Sequence, residues 1–186
     1  YQGAISIFMK VNFYIFVFLV VSVITGYGQT DFILFSDLQE RFEVKAPGHF
    51  KYLEKIIPTV VGDVVNENFS LQKTDHPNTL YTVNVVTYPD AVIDYDSTEV
   101  NEEFLLNTLA SIAEKNNCQV VYKDILASQE GLPMMVYKLV DKVTKQSIKG
   151  VVKLQPNRIY TAQVYSPTGS SLNELIDIFL NSFVVK

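Results

Sequence analysis

Acidic side chains outnumber basic ones by 20 to 15 in this chain of 186 residues, a net charge of −5. Nucleic-acid binding needs clustered positive charge against phosphate, so this balance argues against that class. The single cysteine, Cys118, rules out an internal disulfide, and the fold must rest on its core.

The first segment reads as an address rather than as structure. Met9 and Lys10 precede the apolar run "FYIFVFLVVSVI" at 13–24, and "TGYGQT" follows. A positive start, a short apolar stretch and small residues form the pattern of a secretory signal. Gly26 and Gly28 stand three and one residues before the expected cut, which leaves Gln29 as the mature N-terminus. A spanning helix needs roughly 20 apolar residues, more than this run supplies. No cysteine lies at the cut, so lipid anchoring is not expected. Residues 1–28 are therefore read as upstream sequence plus a cleaved signal, and 29–186 as one exported domain. Export without disulfides fits a bacterial periplasm or exterior. No membrane span is expected in the mature chain.

Residues 31–40 read as a strand or an irregular arm. In "RFEVKA", Phe42 and Val44 alternate with Glu43 and Lys45, the pattern of a half-buried strand. Pro47-Gly48 stops it. Residues 49–58 are ambiguous: Phe50, Leu53 and Ile57 have helical spacing, and Pro58 closes the segment. Residues 60–73 read as a strand with a bulge at Gly62. In 79–88, Tyr81, Val83 and Val85 share one face of a strand, after a turn at 75–78. Ser97 or Thr98 is the expected cap of a helix to Lys115, with Leu105, Leu109, Ile112 and Ala113 as its buried stripe. Strands are expected near 118–126, 132–140, 148–155 and 158–165, joined by tight turns, which implies antiparallel pairing.

The chain closes on a predicted helix. Ser171 and Glu174 have capping-box spacing. Leu172, Leu175, Ile176, Phe179, Leu180 and Phe183 form an apolar stripe aimed at a sheet. The fold class is α+β, an antiparallel sheet flanked by helices. "FEVKAPG" after an export signal, the meander ending in "NRIYTAQVYSP", and the helix ending in "FLNSFVV" resemble the PsbP-like α/β/α sandwich family. That family includes the extrinsic PsbP subunit of photosystem II and many small exported bacterial proteins. The resemblance implies an accessory or binding role and carries over no catalytic residue.

The residues themselves supply little chemistry. Cys118 lacks a partner for nucleophilic catalysis, and no G-x-S-x-G stretch is present. His49 and His76 stand apart without a ligand pattern. The acidic run Asp90, Asp94, Asp96, Glu99, Glu102 and Glu103 lacks the spacing and glycine of a calcium loop. No cofactor, metal or catalytic residue is assigned. A basic meander contrasts with the acidic remainder. Lys142, Lys145, Lys149, Lys153, Arg158 and Tyr165 are the candidate docking surface for an acidic envelope protein or an anionic surface. Lys149 and Lys153 share a sheet face; the plain alternative is a solvated, edge-guarding face. Tyr160 and Tyr165 lie on opposite faces of one strand, so at least one is expected at the surface. The expected function is an exported, non-enzymatic binding protein. The alternatives are a ligand-binding domain with a pocket between sheet and helix, and an enzyme with an unrecognised site.

Overall fold

Alternation of apolar and polar side chains dictates most of the fold. In the computed structural model, which describes residues 31–60, 62–89, 98–127 and 133–186, strands dominate. They are β1 (Ile33–Ser36), β2 (Phe42–Ala46), β3 (Lys51–Thr59), β4 (Gly62–Gln72), β5 (Leu80–Thr87), β6 (Gln119–Ala127), β7 (Pro133–Asp141), β8 (Gln146–Gln155), β9 (Arg158–Pro167) and β10 (Val184–Val185). The helices are α1 (Thr98–Lys115) and α2 (Glu174–Asn181), with a 3-10 turn at Thr168–Ser170 before α2. The signal segment, the Ser97 cap and Asp90, Asp94 and Asp96 lie outside the described residues.

A seven-stranded sheet has the order β3-β4-β5-β9-β8-β7-β6, antiparallel throughout. It consists of two meanders, β3–β4–β5 and β6–β7–β8–β9, joined only where β5 pairs with β9. One face carries Tyr81, Val83, Val85, Tyr160, Ala162 and Val164, all fully buried. It is covered by α2 and by a second sheet of order β1-β2-β10. The other face carries Met135, Leu139, Ile148 and Val152 under Leu105, Leu109 and Ala113 of α1. The expectation of a sheet flanked by helices is thus corrected on one side: a small sheet shares that layer with α2.

Phe42 shows why β2 belongs there. Its ring centroid lies 5.2 Å from Phe69, 5.8 Å from Phe183, 6.0 Å from Phe35 and 6.5 Å from Tyr160. Burying one such side chain contributes about 1.5–3 kcal/mol, and the edge-on ring pairs add to this.

Three local expectations change. Residues 51–59 form strand β3, although it is exposed on both faces and so shows no period of two. Pro58 is tolerated because β3 is an edge strand. Gly62 (φ 113°) pairs with Thr59 and closes a hairpin rather than bulging β4. The cap of α2 is Asn173, whose side chain accepts from the Ile176 N–H. Ser171 instead donates to the Thr168 carbonyl and accepts from Lys138 Nζ. Leu172 is 85% exposed and outside the stripe, in which Ile176 and Phe179 are fully buried, Leu180 packs partly buried against the core, and Phe183 follows beyond the helix.

Candidate functional site

The apolar stripe of α1 is narrow, so the helix seals only part of the sheet beneath it. Leu105, Leu109 and Ala113 pack over the β7–β8 side. The adjoining helix surface carries Asn107, Thr108, Ser111 and Lys115 and overhangs strands β4, β5 and β9. A cleft of about 470 Å³ lies between them.

Strand register builds its floor. Asn68 stands opposite Asn84, and Asn84 opposite Thr161, across three neighbouring strands. In the next row Thr82 stands opposite Gln163. Neighbouring strands lie about 4.8 Å apart, so the rows form a regular grid of polar groups.

Hydrogen bonds hold the grid in place. The Asn84 amide donates to Asn66 Oδ1 at 2.6 Å and to the Glu67 carbonyl at 3.1 Å. The Gln163 amide donates to the Tyr137 hydroxyl at 2.7 Å, and Gln163 Oε1 accepts from Tyr165 at 3.3 Å and Thr82 at 3.4 Å. Tyr137 reaches that position because Gly150 stands opposite both it and Gln163. A Cβ on Gly150 would lie 2.5 Å from the Tyr137 ring. On the helix, Thr108 and Ser111 donate back to the Phe104 and Asn107 carbonyls, which leaves their oxygens as acceptors.

The cleft is poor in acid–base groups. Among the described residues that line it there is no carboxylate, histidine or cysteine, and Lys115 is its cation. Burial pushes the Tyr165 phenol up to about 12 and raises that of Tyr88. Both stay neutral near pH 7 and act as hydrogen-bonding groups.

No protein-family model matches this chain, and no curated protein matches it. The solution structure of cyanobacterial PsbP (CyanoP) from Synechocystis sp. PCC 6803 is similar at TM-score 0.53 and 13% identity. The match covers 87% of this chain and 96% of that one.

The fold is PsbP-like.

At that identity the likeness concerns the fold alone. On the PsbP-like frame the docking candidates do not form one patch. Lys142 and Lys145 are exposed in the β7–β8 turn, where Lys145 adopts φ 58°. Arg158 lies at the opposite end of the sheet, as the first residue of β9 opposite Gln155. Lys149 and Lys153 share a face as read from the sequence, but that face is under α2. Lys149 Nζ stands 3.8 Å from Asp177 Oδ1. Lys153 Nζ donates to the Phe183 carbonyl at 2.8 Å and sits 5.4 Å from that ring. Lys138, opposite Lys149, donates to Ser171. These three lysines fasten the C-terminal segment to the sheet. Tyr160 is fully buried and Tyr165 half-buried at the cleft, so neither is the surface tyrosine expected.

Two polar clusters escaped the sequence reading. Arg41 bridges buried carboxylates: its Nε meets Asp37 Oδ2 at 2.7 Å, and its Nη1 and Nη2 meet Glu67 at 2.5 and 2.8 Å. The guanidinium holds the Glu67 carboxyl below its ordinary range. Asn78 and Asn173 exchange amide hydrogen bonds of 3.1 and 2.8 Å, and Asn78 also donates to Tyr81 at 2.7 Å. That exchange ties the turn before β5 to the α2 cap. His76, beside it, has its pKa lowered by burial, and His49 is exposed. Cys118 is half-buried, its thiol raised by burial, and it donates to the Asn116 carbonyl. Among the described residues no group of three His, Cys, Asp or Glu side chains is arranged to hold a metal, and no helix is long and apolar enough to cross a membrane.

Proposed function

We propose that this PsbP-like domain is an exported, non-catalytic accessory protein that holds a small uncharged polar ligand in the cleft under α1. The lining of that cleft carries the reading. It offers hydrogen-bonding amides and hydroxyls on a rigid sheet, without a group tuned for proton transfer or nucleophilic attack near pH 7. Its volume falls within the roughly 300–1,000 Å³ common for small-molecule sites. Export rests on the residues 9–28, and N-terminal sequencing of the secreted protein tests it: the reading requires a start at Gln29.

The cleft is tested by blocking it. Ser111 is exposed on α1 and lines the cavity. Native mass spectrometry of the chain exposed to the small-molecule fraction of an envelope extract should show bound compound. Ser111→Trp should abolish it. Equal retention by the blocked variant would place the ligand elsewhere, and detected turnover of the compound would refute the non-catalytic reading.

A docking role toward an acidic envelope partner narrows to Lys142 and Lys145, the solvent-facing members of the basic set. Salt-sensitive capture lost in Lys142→Glu/Lys145→Glu is the expected outcome; unchanged capture would remove this surface from consideration.

A further inference from the structure

The chemistry of the cleft narrows its occupant. We infer that the ligand is a neutral carbohydrate of about one to two sugar rings, an inference that rests on the cleft being a binding site.

Charge gives the first selection. A cationic ligand would meet no carboxylate among the described lining residues, and an anionic one would meet only Lys115. Lys115 is exposed in the last turn of α1, where it already complements the negative end of the helix. The remaining polar lining is uncharged.

Geometry gives the second. Asn68, Asn84 and Thr161 form one row across three strands, and Thr82 and Gln163 extend the next. Asn84 already commits both amide hydrogens to Asn66 and the Glu67 carbonyl, so the side-by-side donor and acceptor pairs turned to a ligand are those of the cleft-lining Asn68 and Asn107. Such a pair matches two vicinal hydroxyls, each of which also donates and accepts. Groups repeated at about the strand spacing of 4.8 Å suit hydroxyls spread around a pyranose ring. A lipid or other apolar ligand would cover the Asn68 and Asn107 amides without giving them partners, at a cost for each.

Aromatic rings give the third. Tyr88 and Phe104 meet edge to face at 5.9 Å and 75°, and Tyr165 lies at the same cleft. A sugar has apolar C–H faces as well as hydroxyls. Aromatic groups and fixed amides together match both.

A peptide is the competing neutral ligand, and the fold disfavours it. Extended peptides gain affinity mainly by adding a strand to an open sheet edge. The cleft floor is the face of β4, β5 and β9, whose edges are all paired within the sheet.

The test titrates the full chain with diacetylchitobiose, cellobiose and maltose, alongside the blocked peptide acetyl-trialanine amide and inorganic phosphate. Binding is read by calorimetry and by amide NMR shifts at Asn84, Thr161 and Gln163. At least one saccharide should bind and shift those signals. Asn107→Ala, on the exposed helix surface, should weaken it about tenfold, the loss of one to two hydrogen bonds. Asn84→Ala should weaken it at least as much, with its melting temperature as the check on folding. If no saccharide shifts the cleft signals, the inference is overturned. A shift by the peptide or by phosphate in that case would leave the cleft standing as a site for another ligand class. Silence to all five probes would remove the cleft as well.

Discussion

The two faces of the large sheet differ in what fills them. Under α2 and the small sheet, aromatic and aliphatic side chains meet in a sealed layer, and Phe42 touches four other rings. Under α1, an apolar half gives way to a grid of amides and hydroxyls beside an open cleft. One chain thus separates its requirements. The sealed face supplies cohesion, and the open face keeps polar groups that cohesion alone would not select.

Substitutions can break that division. The largest effect is expected for Phe42→Ala, which leaves a cavity in the sealed layer and should cost about 3–5 kcal/mol. Chemical denaturation reads it directly. Arg41→Ala comes next or equal, because it strands Asp37 and Glu67 as uncompensated buried charges, a loss of about 3–5 kcal/mol. This variant also has a pH signature. The Glu67 carboxyl is held below its ordinary 4.5, first by its hydrogen bond from Arg41. A depressed carboxyl contributes stability that is fully present above the unfolded value and lost as pH falls toward the folded one. Wild type should therefore weaken on acidification below about pH 4.5, and Arg41→Ala should show a flatter acid limb in the same titration. A parallel pair of acid limbs would deny the role given to Arg41.

Smaller effects sharpen the other face. Gly150→Ala drives a methyl into Tyr137, and overpacking of this kind costs about 1–3 kcal/mol. It should also displace Gln163, so ligand affinity falls along with melting temperature. Ser111→Trp, on the exposed side of α1, should change stability by no more than about 0.5 kcal/mol. It should still close the cleft. A large stability loss there would mean that α1 packs more tightly than the open face implies.

How far the fold was legible follows the same division. Strands with one apolar face, such as β2 and β5, announced themselves by alternation. Strand β3 did not, because both its faces meet solvent and no period of two was imposed on it. The capping-box spacing of Ser171 and Glu174 misled, because Asn173 supplies the cap and Ser171 answers Lys138. The Arg41 cluster joins residues 26 positions apart, and no local pattern reports such a pairing. The cleft lies between these cases. Asn66, Asn68, Thr82, Asn84, Thr161 and Gln163 were visible as the polar half of each alternation. What hid the site was the narrow stripe of α1: Leu105, Leu109, Ile112 and Ala113 predicted a buried helix, but not how much sheet it would leave uncovered, nor that Ile112 would line the cleft.

The junction between the two meanders also has a kinetic meaning. Each meander needs only short turns to form, whereas β5 must find β9 across the 70 residues between Thr87 and Arg158. Loop-closure entropy rises with that separation, so this pairing is the expected slow event of folding. Pulse-labelled hydrogen exchange should show amides at the junction protected after those within each meander. The polar grid crosses that same junction, through Asn84 with Thr161 and Thr82 with Gln163. The site is then assembled last. A ligand that bridges β5 and β9 binds only the finished sheet, and mass action makes it a brace against reopening of the junction.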